Sequence, residues 1–322
     1  MDALSLPGSL DPASPEADRE ADPVAAEEAV STASETATDA AAWSLARRFG
    51  FRLAAVYFVL YVFPFPLGYV PWAGEYVELG VRWLWRAAAP WVGTHVLGLE
   101  GEMFLGLTGS GDTTFDYVRL LMMTVLAVAG AAVWSLADRR RRHYAYAARW
   151  LEAGCRYYLG SVMLTYGILK VIPSQFTTPS LTRLLTAYGD SSPMGLLWTF
   201  MGASPAYTVF AGLGETVGGL LLFFKRTRLL GALIVIGVMS NVAMLNYAYD
   251  VPVKLFSTHL LLLAIGLAAL DARRLAAFFV RNEAAPPALH PPLFRTRRLN
   301  VAARALGLAL LGTVIWTYAS QG

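Results

Sequence analysis

Apolar and polar positions alternate along this chain on a scale of about 20 residues, the length a helix needs to cross about 30 Å of hydrocarbon. Runs at 49–69, 116–137, 151–172, 206–224, 229–248, 252–270 and 300–319, some taken with their flanks, read as seven spans. Two of the connections are long. The first, 72–107, holds Trp72, Trp83, Trp85 and Trp91, with Glu78, Arg82 and Arg86 spaced to form one charged stripe on a helix. The second, 173–205, contains "TPSLTRLLTAYG" and "SPMGLLWTFMG", short amphipathic patterns with a proline in the first turn. Both connections are expected at the membrane interface, as a partial lid over the bundle. The predicted fold is all-α, a polytopic transmembrane helical bundle of about seven spans.

Charge gives that bundle a direction. Arg47, Arg48 and Arg52 precede the first run, and Arg139 to Arg142 follow the second. Lys225, Arg226 and Arg228 follow the fourth, Arg273 and Arg274 the sixth, and Arg295, Arg297 and Arg298 precede the seventh. If every run spans, all five clusters share one side. Basic residues favour the cytoplasmic side, which places the N-terminus inside and the C-terminus outside an inner membrane.

Composition agrees with a lipid environment: of 322 residues, 56% are hydrophobic and 15% charged, against about a quarter charged in soluble domains. Residues 1–42 depart from it, holding ten of the 23 acidic side chains and one Arg. That Ala-, Ser-, Glu- and Pro-rich tail is expected to be disordered, and it lacks the basic and apolar regions of a cleavable signal peptide. The rest divides into 43–150 with the first two spans, 151–280 with the next four, and 281–322 with a linker and the last span. One cysteine, Cys155, excludes an internal disulfide or dithiol relay.

Ionisable groups at membrane depth are costly and usually face a bundle interior or cavity. Glu215 lies about 12 Å below Tyr207 and Asn241 about 12 Å below Tyr249, at about 1.5 Å per residue. The sixth run reaches full length if Asp250 caps its helix with Pro252 in the first turn. His259 then lies about 13 Å deep, in the same layer as Glu215 and Asn241. Lys170, near the outer end of the third span, can reach that layer or snorkel away. Tyr166 sits one turn from Lys170 on the same face, and Asn246 follows Asn241. Asp250 and Lys254 pair across one helical turn and read as structure, with His259 on another face. Glu215 needs a partner, and Lys170, His259 and Asn241 are the candidates. Interhelical hydrogen bonding by His259 and the two asparagines is the plain alternative to a site.

The remaining signals carry less chemistry. "TGSGDTT" at 108–114 lacks the lysine of a phosphate loop and reads as a turn leading into the second span. The four histidines have no metal-ligand spacing. Neither metal nor haem is expected, and the arginine block points to anionic lipid rather than nucleic acid.

The segments "YGILKVIPSQF" (166–176), "FAGLGETVGGLLLFFKRTRLLGALI" (210–234) and "MSNVAMLNYAYDVPVKLFSTHLLLLA" (239–264) resemble the DoxX-like membrane proteins. The resemblance implies a four-helix membrane core formed by the third to sixth spans, with the other spans as additions. It also implies a link to membrane redox systems, since the family is named for likeness to the DoxD subunit of a thiosulfate:quinone oxidoreductase. On that reading the polar layer meets a quinone. His259 and Glu215 hydrogen-bond a quinone oxygen or relay a proton, Lys170 stabilises developing negative charge, and Asn241, Tyr166 and Asn246 help bind. Partners would be membrane lipids, a quinone and other membrane or redox subunits. Two rival expectations remain open. A transporter or lipid-handling protein would use the layer as a substrate site, with helix breaks near Pro173 or Pro252. A structural subunit would have no pocket.

Overall fold

Each apolar run becomes a helix. The computed structural model describes residues 42–70, 72–101, 103, 111–172, 174–288 and 291–319, so residues 1–41 of the acidic tail, Pro173 and His290 lie outside the described residues. The helices are α1 (Leu45–Val62), α2 (Ala73–His95), α3 (Thr114–Ala137), α4 (Ala145–Val171), α5 (Leu181–Leu185), α6 (Pro193–Ala203), α7 (Pro205–Leu222), α8 (Arg228–Ala248), α9 (Lys254–Ala269), α10 (Ala272–Leu275) and α11 (Arg297–Ala319). No strand occurs among the described residues.

Four segments are long and apolar enough to cross a membrane: Leu45–Tyr69, Thr114–Ala137, Lys225–Ala248 and Arg297–Tyr318. Two bent pairs raise this to six, α6 with α7 at 98° and α9 with the segment Ala272–Val280 at 73°. α4, on the third expected run, is 27 residues long, about 40 Å, but its polar residues keep it out of that set. Those residues point inward: Arg156, Ser161 and Lys170 are all buried.

α4 packs most extensively on α7, α7 on α8, and α8 on α9. One core joins these helices through Leu159 and Met163 of α4, Leu222 of α7, Val235 and Met239 of α8, and Leu260 and Ala264 of α9. α11 packs on the far side of α4 through Leu311 and Val314, and α1 pairs with α3. The α4–α7 contact depends on two facing glycines. A Cβ on Gly212 would lie 2.7 Å from Lys170 Cβ and 2.8 Å from the Gly167 carbonyl oxygen, and one on Gly167 would lie 2.9 Å from the Gly212 carbonyl oxygen. Only a residue without a side chain lets the two backbones approach this closely.

Local chemistry sets the breaks. α6 stops before Pro205, because the residue preceding proline avoids helical backbone. Ser204 is extended there (φ −129°, ψ 92°), and its hydroxyl accepts the Tyr207 N–H that opens α7. The expected start of the sixth span is corrected. Asp250 does not cap it: its φ is 50° and its carboxylate bonds Lys254 Nζ at 2.7 Å. α9 begins at Lys254, and the carboxylate of Asp112 accepts the N–H groups of Lys254 at 2.6 Å and Leu255 at 2.9 Å. The Gly111 N–H also donates to the Pro252 carbonyl at 2.8 Å, so the turn before α3 supplies the cap of α9. Of the two places where a helix break was anticipated, Pro173 lies outside the described residues and Pro252 falls in the turn between α8 and α9; the sharp bends are instead at Ser204 and beyond Ala269.

The basic segments meet at the opposite end from Pro252. Arg48 donates to the Arg141 carbonyl at 2.9 Å and Lys225 to the Pro291 carbonyl at 2.6 Å. Arg228 joins Glu152, at 2.6 Å, to Asp271. Arg274 also bonds Asp271, at 2.8 Å.

Candidate functional site

Lys170 stands three residues beyond Gly167 on α4, and Glu215 three beyond Gly212 on α7. The two glycines that bring the helices together therefore bring these side chains to the same place. Lys170 Nζ donates to Glu215 Oε1 in an ion pair with Glu215 2% and Lys170 6% exposed. Removing two such groups from water is costly, and each offsets that cost only by meeting the other. The second carboxylate oxygen, Oε2, is buried without a hydrogen-bond partner.

The pair lies in the wall of a cavity of about 860 Å³ enclosed by α4, α7, α8, α9 and the segment covering their ends. Most of the wall is apolar, including Phe176, Trp198, Phe210, Phe256 and the methionines 163, 194, 201 and 239. α6 lies across one end and contributes Met194, Leu197, Trp198 and Met201, with Leu197 and Met201 packed on Phe176 and Val251. The cavity opens sideways. Phe210, Leu213 and Val217 of α7 and Gly237 and Asn241 of α8 line it and are exposed on the outside of the bundle. A side chain at Gly237 would find nothing within 4 Å, whereas a Cβ on Gly231 would sit 3.0 Å from the Gly218 carbonyl oxygen. α7 and α8 stay in contact beside Gly237, a Cβ on Gly214 lying 3.1 Å from Val238 Cγ2, and the mouth is on the exposed face next to that contact.

Five of the six residues singled out from the sequence line this one cavity: Tyr166, Lys170, Glu215, Asn241 and Asn246. Asn246 is buried, and Asn241 stands at the mouth. His259 is the exception. It is not in the cavity wall; its Nδ1–H donates to the Leu255 carbonyl at 2.6 Å, which leaves Nε2 to accept from the Tyr57 hydroxyl at 2.6 Å. Its ring stacks on Tyr61 with centroids 4.2 Å apart. The expected convergence of His259 with Glu215 and Asn241 is corrected: His259 faces away from the cavity they line. The cavity face of α9 carries Phe256, Ser257 and Leu260, and His259 lies about 100° round the helix from the centre of that face. It joins α9 to α1 instead.

Gln175 was not anticipated. It lines the cavity five residues beyond Lys170, and its Oε1 is buried without a partner. Loop position hid it, since helical spacing assigns no face to a residue past the end of α4. Among the described residues, no group of three or more His, Cys, Asp or Glu side chains is placed to hold a metal ion.

No family model and no solved structure matches the chain. Among curated proteins, it is 33% identical over 131 residues to the uncharacterized protein YwoB of Bacillus subtilis (strain 168), a match covering 40% of this chain and 82% of that protein. The chain belongs to the family of YwoB.

Proposed function

We propose that this chain is a multi-pass inner-membrane protein that binds a quinone-type lipophile in the cavity between α4, α7, α8 and α9, as part of a membrane redox system. The single observation that carries the reading is a buried Lys170–Glu215 pair set in the wall of an otherwise apolar cavity. An apolar tail suits the aromatic and methionine wall, and a polar head suits the ion pair. The sideways mouth between α7 and α8 suits a ligand dissolved in lipid rather than water. A purely structural subunit has no use for a cavity of this size.

The finer architecture belongs to the same proposal. Seven spans result if α4 crosses with the other six, its charged residues shielded by neighbours. The four helices around the cavity correspond to the DoxX-like core at 151–280. The basic segments joined through Arg48, Lys225 and Arg228 make the cytoplasmic end, and the mouth opens toward the outer leaflet.

In this site Lys170 holds the ligand's polar oxygen and stabilises negative charge there, while Glu215 keeps Lys170 in place. A bound quinone supplies the redox chemistry. The test is lipid extraction from the purified chain, with quinone content and quinol oxidation measured for wild type, Glu215→Ala and His259→Ala. Wild type and His259→Ala should retain both properties, and Glu215→Ala should lose both. Equal content and turnover in all three would remove the reading.

A further inference from the structure

Asparagines inside membrane spans usually join helices by hydrogen bonds, and Asn246 is not used in that way. It is 6% exposed and lines the cavity. Its side chain hydrogen-bonds no described residue, yet neither end of its amide is sealed off in the wall. The little surface that the amide keeps therefore serves the cavity, as a donor at one end and an acceptor at the other.

A second amide stands at the same end of the cavity. Gln175 precedes Phe176 and Asn246 follows Leu245, and Phe176 and Leu245 belong to one packed cluster with Met194, Leu197 and Trp198 of α6. Gln175 Oε1 is sealed in the wall, whereas its Nε2 is open and without a partner among the described residues. The opposite end offers nothing polar. On each of the four helices the lining residue farthest from α6 is apolar: Met163 on α4, Val217 on α7, Ile234 on α8 and Leu260 on α9. Ile234 lies 12 residues before Asn246 on α8, about 18 Å along the helix. The cavity is thus polarised along the bundle, and the amides under α6 add a second polar point to the Lys170–Glu215 pair on the α4–α7 wall.

Charge and hydrogen bonding limit what can lie there. The ion pair neutralises itself, so a charged head would enter an apolar cavity uncompensated. An amide reads a neutral oxygen, donating to a carbonyl and both donating to and accepting from a hydroxyl. We propose that Asn246 and Gln175 form a second head-group subsite, so that the cavity takes a lipophile whose ring carries two oxygens. One oxygen is held at Lys170 and the other at the two amides. The head lies toward α6 and the tail toward Ile234. This rests on the lipophile-binding reading above and adds the number of oxygens and the orientation.

Full-length chain in lipid nanodiscs is titrated without oxygen with a short-chain benzohydroquinone and with the two phenols that each lack one of its hydroxyls. Wild type should bind the hydroquinone at least about tenfold more tightly than either phenol, because a site made to hydrogen-bond a hydroxyl rejects analogues lacking it. In Asn246→Leu the hydroquinone should fall to the level of the tighter phenol, whose own binding stays as in wild type and so reports an intact cavity. If Asn246→Leu does not fold, Gln175→Leu, in the loop beyond α4, serves instead and should lose part of the same advantage. Orientation is read from Trp198 in the cavity wall, as the fluorescence difference between wild type and Trp198→Phe. Bromine on the ring should quench it, and bromine at the tail end should not. Equal binding of the hydroquinone and both phenols, or an undiminished advantage in the variants, would overturn the subsite while leaving the lipophile reading intact. Quenching by the tail bromine alone would overturn the orientation. No saturable binding of any probe would overturn the subsite and the lipophile reading together.

Discussion

At the scale of single residues, Lys170 and Glu215 are the costliest side chains in the cavity wall, and their value lies in meeting each other. Removing one leaves a buried charge without its partner, which typically costs about 3–5 kcal/mol. Lys170→Met should therefore lower stability by about that amount in denaturant or thermal unfolding of the purified chain. The double replacement Lys170→Met with Glu215→Leu should recover most of the loss, since well-packed apolar pairs often match buried ion pairs in stability. Equal loss in single and double variants would show that the pair is not coupled. This pairing was legible in the sequence only as one of three options for Glu215. Depth along a helix follows from counting residues, and it placed Glu215, Asn241 and His259 in one layer. Azimuth does not follow from counting, because it depends on which neighbour each helix face meets. That is why the Lys170 side chain was found and His259 was misplaced.

Elements carry the next layer of the account. The seven apolar runs foretold seven helices with ends within about four residues, except that α1 ends seven residues before its run and α4 begins six before its own, because lipid-scale hydropathy marks a helix even where its ends are set locally. The bend at Ser204 could be read from its Ser-Pro pair. The cap of α9 could not, since Asp112 lies 142 positions from Lys254, and no local pattern reports a bond across that distance. Asp112→Ala should destabilise the chain by about 1–2 kcal/mol in thermal unfolding, the range for losing a helix cap. Asp250→Ala should have a much smaller effect, because the Asp250–Lys254 pair is exposed on its aspartate side. At the other end, the turn beyond α9 holds Asp271. Burial alone would raise its carboxyl, but Arg274 and Arg228 outweigh burial and hold it below the ordinary carboxylate range. A folded value below the unfolded one gives stability that is full above the unfolded value and lost as pH falls through the folded value. The stability advantage of wild type over Asp271→Asn should thus be full near about pH 6 and shrink below about pH 4. An advantage independent of pH would contradict the role given to the carboxylate.

For the whole molecule, the four central helices do two things at once. Facing glycines draw α4 and α7 together around an ion pair, while α7 and α8 meet at Gly218 and Gly231 and leave the exposed face at Phe210, Gly237 and Asn241 bordering the cavity. The first contact builds the polar spot and the second opens a path to it from the side. Nothing in the spacing of residues foretold that opening, because it depends on which faces the two helices leave uncovered. Gly237 is the place to test it, since a side chain there meets open space in the mouth and should not disturb the fold. Gly312 on α11, which also faces open space but lies away from the cavity, gives the matching control. The decisive measurement is equilibrium binding of a short-chain benzohydroquinone to the full-length chain in nanodiscs, for wild type, Gly237→Trp and Gly312→Trp. Wild type and Gly312→Trp should show one saturable site, and Gly237→Trp should lose it with thermal stability unchanged. Saturable binding of equal strength in all three, or none in wild type, would contradict a lipophile site reached between α7 and α8.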